Sequence, residues 1–202
     1  EELEFVSSNY LTPIRYMEDE LFVDSSNTDE TEFPILLMDW VEGETLDKYV
    51  RKNINDKYNL ELLACRFSLL AHWIISQPFS HGDLKPENII VKNNGTLTLI
   101  DYDGMYVPTM NGQKTRELGT PNFRHPNRKE FPFDEHIDDF ALISILLSLK
   151  AVSLNPMLLQ IYGTNESLLF TDNDYLAIWK SSVVASMNSM FYSTTFRNLF
   201  SI

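Results

Sequence analysis

Residues 81–91 read HGDLKPENIIV, which places Asp83, Lys85 and Asn88 within six positions and runs straight into the apolar Ile89, Ile90 and Val91. Immediately after, IIVKNNGTLTLI holds two β-rich segments on either side of Asn93-Asn94-Gly95. Asn and Gly tolerate the positive φ of tight turns, so this pattern predicts a hairpin. A hairpin brings its two ends together: Asp83 lies in the loop that enters it, and Asp101 follows its second strand. Both carboxylates and the Asn88 amide can then converge on one small volume. Hard oxygen donors of this kind suit Mg²⁺, which keeps several waters and takes few protein ligands. With Lys85 adding a cation, the set suits a metal-bound phosphate better than the bare carboxylate pair of sugar hydrolysis. Any one of these residues could simply shape a turn; the four together across a hairpin argue for a site.

The surrounding pattern supports a folded α+β chain. Hydrophobic residues make up 44% of the 202 positions, enough for one domain with a real core or two small lobes. Sixteen Lys and Arg stand against 29 Asp and Glu, a formal charge of -13, which would repel a nucleic-acid backbone or an anionic membrane. No apolar run approaches the ~18 residues of a membrane span, and the acidic start EELEF lacks the basic region of a signal peptide. The expectations are therefore no nucleic acid, no membrane and a cytoplasmic location. Cys65, the single cysteine, falls in an apolar helical pattern and reads as a buried structural thiol.

Residues 10–23, YLTPIRYMEDELFV, read as a hairpin about MEDE, and DSSNTDETE (24–32) as a mobile loop. FPILLMDWV reads as a continuous apolar strand that ends in an acidic, Gly-containing connector. Leu60, Leu63, Ala64, Phe67, Leu70, Ala71 and Ile74 recur at three and four positions, which predicts an amphipathic helix ending before Pro78. Residues 104–135 read as a long ordered loop, HIDDFALISILLSLK as a buried helix of about four turns, and 151–202 as two or three further helices. His72, His125 and His136 lack metal-ligand spacing. Arg116, Arg124, Arg128 and Lys129 form a loose basic set whose default is a solvated loop face.

HGDLKPENIIV resembles the loop H-R-D-L-K-x-x-N of protein kinases, and LIDYDG resembles their metal-binding D-F-G segment. The resemblance implies Asp83 as the base that accepts a hydroxyl proton and Lys85 as the cation that steadies the transferring phosphate. It implies Asn88 and Asp101 as Mg²⁺ ligands. PILLMDWVEGETL is similar to the segment linking the two kinase lobes. That likeness puts Met38 at the back of an adenine pocket, Asp39 and Val41 as backbone partners of adenine, and Thr45 near the ribose. ELGTPNFRHPN resembles the end of an activation segment, with Thr120 against Asp83, and Asp138 matches a buried Asp that anchors the 81–88 loop. His81 would pack beneath the metal motif. The implied architecture is a mainly helical C-terminal lobe (42–202) behind a reduced β-strand N-terminal lobe (1–41). The implied cofactors are ATP and Mg²⁺, and the implied substrate is a Ser or Thr hydroxyl of a protein.

The chain departs from that pattern at identifiable places. Gly82 stands where the kinase loop has Arg, which argues against a phosphorylation-switched activation loop; H-G-D also resembles small-molecule phosphotransferases of the aminoglycoside and choline kinase type. Asp103 occupies the glycine position of D-F-G, and Asn127 stands for the Glu of A-P-E. The first Gly is Gly43 and the first Lys is Lys48, so no Gly-rich loop or strand Lys precedes the connector. Two expectations follow: a longer parent protein that supplies those strands, or a pseudokinase, a binding module that regulates a partner protein without turnover.

Overall fold

The computed structural model describes residue 6 and residues 8–24, 26–27, 31–115 and 117–190. Its centre is helix α2 (Lys57–Ile75), started by the Asp56 carboxylate, which accepts the Asn59 N–H at 3.0 Å. The seven residues of its predicted apolar stripe, from Leu60 to Ile74, are all buried. They face helix α3 (Asp139–Leu154), which is buried through Ala141, Leu142, Ile145, Leu149 and Val152. Two buried serines of α3 are satisfied within the helix: Ser148 donates to the Ser144 carbonyl and Ser153 to the Lys150 carbonyl, each at 2.8 Å.

Against this helix pair lies a small antiparallel sheet of β3 (Glu44–Thr45), β4 (Ile89–Val91) and β5 (Leu97–Leu99), in that order. Ile89 faces Leu99 and Val91 faces Leu97 across the predicted hairpin, and Gly95 takes φ +79° in its turn. Residues 9–11 run alongside β5: Leu99 N–H donates to the Tyr10 carbonyl at 2.8 Å and the Thr98 hydroxyl to the Asn9 carbonyl at 3.1 Å. Helix α1 (Leu46–Lys52) buries Leu46 and Val50 and packs against β3, β4 and the turn at Pro86–Asn88. After α3 come α4 (Met157–Tyr162), α5 (Asp172–Leu176) and α6 (Ser182–Met190); the last part of the predicted helical tail, 191–202, lies outside the described residues. The described residues of the 104–135 segment, all but residue 116, form a loop with single 3-10 turns at Pro108–Met110, Pro121–Phe123 and Arg128–Glu130. Among the described residues no helix is long and apolar enough to cross a membrane. The fold is α+β, with helices dominating the C-terminal part.

Three sequence readings are corrected. Residues 10–23 are not a hairpin: Ile14–Phe22 is one strand, β1, paired antiparallel with β2 (Glu32–Met38) from Ile14 opposite Met38 to Phe22 opposite Glu32. The turn chemistry of MEDE is spent on a register shift between Met17 and Leu21, where Asp19 takes φ +54°, a left-handed state that Asp tolerates. Reversal happens instead in the 24–32 run, of which residues 25 and 28–30 lie outside the described residues. The apolar strand stops at Met38 and is not enclosed, since Leu36, Leu37 and Met38 are all exposed. Cys65 is exposed as well. It sits one position past Ala64, about 100° round the helix from the stripe, on the side where Leu69 is also open to solvent.

The fully enclosed Phe67 and the open Cys65 share one helix and separate core from surface. Phe67→Ala is expected to cost about 3–5 kcal/mol, whereas Cys65→Ser stays within about 0.5 kcal/mol of the parent. Urea denaturation midpoints check both, and native-state reaction of the thiol with a chromogenic disulfide confirms its exposure.

Candidate functional site

Asp138 immediately precedes α3 and is buried. Its carboxylate accepts the backbone N–H of His81 and, at 3.0 Å, that of Gly82, which fixes the start of the 81–88 loop to the core helix. Burial pushes the Asp138 carboxyl up, opposed by the charge of His81 and by the two N–H donors. His81 is buried too: Nε2 lies 2.9 Å from the Ile100 carbonyl oxygen, and the imidazole meets the Tyr102 ring edge-on at 5.9 Å. The loop and the segment bearing Asp101 are therefore joined through one imidazole.

Asp83 emerges next, half-buried. Its Oδ1 accepts the Thr120 N–H at 2.7 Å and the Thr120 hydroxyl at 2.8 Å, while Oδ2 accepts the Lys85 ammonium at 2.6 Å. Burial alone would raise this carboxyl, but the hydrogen bonds of Lys85 and Thr120 and the charge of Lys85 outweigh it and hold the group below its ordinary value. Burial likewise opposes the charge on Lys85, but Asp83, Asp101 and Glu87 hold its ammonium above the usual range. Asp101 is thus close enough to act electrostatically on Lys85. Asn88 closes a 3-10 turn on Pro86; its Nδ2 donates to the Asp83 carbonyl at 2.9 Å, and its own carbonyl accepts the Ile100 N–H at 3.0 Å. That last bond sets Asn88 beside the residue preceding Asp101, as the hairpin reading required. Asp101 is exposed with φ +67°, a left-handed conformation uncommon outside Gly.

Glycines explain how closely these segments pack. Gly82 has φ +84°, and a Cβ there would stand 1.9 Å from the Gly104 carbonyl oxygen. Gly119 has φ +76°, and its Cβ would stand 2.9 Å from the Gly82 oxygen and 3.4 Å from Asp83 Oδ1. The glycine that replaces the Arg of the resembled motif is therefore required sterically. Gly104, one place beyond the position compared with D-F-G, is the residue pressed against the loop; Asp103 is exposed. Sequence reasoning treated Gly82 and Asp103 as separate departures and missed that Gly104, not residue 103, is the partner of Gly82.

The nucleotide candidates lie along the run from β2 into β3, and β3 packs against the Pro86–Asn88 turn. Met38 ends β2, Asp39 and Val41 lie in the irregular run to β3, and Thr45 pairs with Ile90. The Thr45 hydroxyl oxygen is buried without a hydrogen-bond partner in the protein. Of the basic set, Arg116 lies outside the described residues, Lys129 is exposed, and Arg124 donates to the Gly119 carbonyl at 3.0 Å. Arg128 corrects the solvated-face reading, being only 4% exposed. It turns inward because the Arg128–Glu130 turn folds it over Pro132, whose carbonyl it meets at 3.3 Å, near the charges of Asp134 and Asp138. Among the described residues no three His, Cys, Asp or Glu side chains gather into a metal cage. A carboxylate and an amide oxygen on adjoining segments still suit Mg²⁺, which needs few protein ligands.

The model of the protein kinase domain family matches residues 21–173 of this chain. Serine/threonine-protein kinase TOS3 of Saccharomyces cerevisiae is 32% identical over 85 residues, in each of two strains, covering 35% of this chain and 15% of the relative. The chain thus aligns with only a small part of that relative's length.

Two expectations test the site as built. Gly82→Ala and Gly82→Arg both lose folded stability, by about 2 kcal/mol or more for strain and overlap together, so restoring the Arg of the resembled motif does not restore a switch; thermal denaturation reads this. Because the Asp83 carboxyl titrates lower when folded than unfolded, it adds stability above pH about 4. That contribution is lost as pH falls through the depressed folded value. Asp83→Asn should flatten this part of the acid-side slope of urea midpoint against pH.

Proposed function

The chain belongs to the protein kinase family, and on that premise we propose that it carries out ATP- and Mg²⁺-dependent phosphoryl transfer to a Ser or Thr hydroxyl of a protein. The observation that carries this reading is the state of Asp83: ionised, half-buried, and held from two sides by Thr120 and Lys85 at 2.6–2.8 Å. A carboxylate so fixed can accept the hydrogen bond of an incoming hydroxyl, orient its oxygen and take its proton. Lys85, beside it, offsets charge that develops on the transferring group. Asn88 and Asp101 would hold Mg²⁺. When bound, the metal neutralises nucleotide phosphate charge. Met38 would back the adenine, Asp39 and Val41 would offer it backbone hydrogen bonds, and the unpartnered Thr45 hydroxyl would face the ribose. The relative TOS3, a serine/threonine-protein kinase, supports a Ser/Thr acceptor, and Lys85, which serine/threonine kinases share, favours it over the small-molecule phosphotransferases.

Transfer of radiolabelled phosphate from ATP to casein, with and without Mg²⁺, tests the reading. Asp83→Asn should lower the rate about 10²- to 10⁴-fold, and Asp101→Ala should abolish the Mg²⁺-dependent rise in melting temperature with ATP. Equal transfer by Asp83→Asn would remove the base assignment. No metal-dependent stabilisation of the parent chain by ATP would leave the regulatory binding module as the better account.

A further inference from the structure

Tyr102 stands between Asp101 and Asp103 and takes no part in the proposed chemistry, yet it is bonded more fully than its neighbours. Its phenolic oxygen accepts the Thr12 N–H at 2.8 Å, across 90 residues of sequence, and donates to the Leu99 carbonyl at 2.6 Å. Both partners are enclosed, Thr12 being 4% and Leu99 1% exposed. We propose that Tyr102 is a positioning residue that locks the Asp101-bearing turn in a single conformation by tying it to the segment ahead of β1.

The backbone conformation of Asp101 gives such a device something to hold. Asp tolerates φ +67° better than most non-Gly residues but does not prefer it, so the bonds around the turn select that state. On its N-terminal side every nearby backbone group is engaged: the Leu99 carbonyl by the phenol, the Ile100 N–H by the Asn88 carbonyl, and the Ile100 carbonyl by His81. On its C-terminal side the Tyr102 carbonyl accepts the Met105 N–H at 3.1 Å, and Gly104 is pressed against Gly82 and Asp83. The ring itself leans on His81. Phenylalanine would fill the same space and make the same ring contact, so only the hydroxyl accounts for the bonds to Thr12 and Leu99. Swinging the ring out, the motion that would carry Asp101 away, leaves a buried N–H and a buried carbonyl unpaired.

Two consequences follow. The turn does not toggle between two states, which agrees with a glycine in place of the Arg that serves phosphorylation-switched loops. The segment of residues 9–12, held to β5 through Asn9 and Tyr10 and to Tyr102 through Thr12, becomes part of the support of Asp101, so that displacing it displaces the carboxylate. The functional arm of this inference rests on the reading of Asp101 as a Mg²⁺ ligand; the latch itself does not.

The test compares Tyr102→Phe with Tyr102→Leu in the whole protein. Amide exchange followed by NMR should show the Thr12 N–H exchanging about tenfold faster, or more, in the Phe variant. The Leu variant should be no better protected. In a thermal-shift titration at fixed ATP, the Mg²⁺ concentration for half-maximal stabilisation should rise several-fold in Tyr102→Phe, a change that ring packing alone would not produce. Parental Thr12 protection together with parental Mg²⁺ dependence in the Phe variant would overturn the proposal. Should the parent chain itself show no Mg²⁺-dependent stabilisation by ATP, the kinase reading fails and the exchange rates alone decide the latch.

Discussion

The carboxylate of Asp138, buried at the head of α3, accepts the N–H groups of His81 and Gly82, and the site takes its position from that pair of bonds. A buried carboxyl is tolerated only where donors compensate for the lost water; here the donors are the first two residues of the loop that matters. The arrangement turns a largely buried apolar helix into the reference frame for a polar loop. Asp83, two residues past His81, then has little freedom left, and Thr120 and Lys85 take up what remains.

Two segments meet this anchored loop, and glycine decides how near they come. Gly104 from the Asp101 turn lies so near that a Cβ on Gly82 is excluded, and a Cβ on Gly119, at the end of the long loop, would stand 2.9 Å from the Gly82 oxygen. Close packing and electrostatics reinforce each other. The Asp83–Lys85 pair, with side chains 16% and 23% exposed, is screened less than a surface ion pair would be. Its geometry comes from the packing, and its charge state in turn favours the packed arrangement.

Legibility in the sequence followed the physics of each element. The stripe of α2 and the Asn93-Asn94-Gly95 hairpin were readable because each depends on local periodicity or a local turn, and the structure reproduces both. The nearness of Asp83, Lys85, Asn88 and Asp101 was readable because the hairpin brings them together with few long-range contacts. MEDE misled because the same turn-forming residues serve a bulge as well as a reversal, and only strand pairing distinguishes them. Cys65 misled because one step along a helix rotates a side chain out of the core. Arg128 misled because its burial depends on Pro132, Asp134 and Asp138 folding back over it, which no window of sequence displays.

By itself the sequence determined the chemistry available, an Asp, a Lys, an Asn and a second Asp in kinase-like order, and the helices and hairpin that carry them, since spacing along one chain settles both. Only the tertiary structure decided why Gly82 must be glycine, why Gly104 and not residue 103 makes the close contact, and why position 102 carries a hydroxyl. Each of those answers lies in an atom contributed by a distant segment: the Gly104 carbonyl, the Gly82 and Asp83 backbone and the Thr12 N–H. Steric exclusion and hydrogen-bond satisfaction act between neighbours in space, and folding alone makes these segments neighbours.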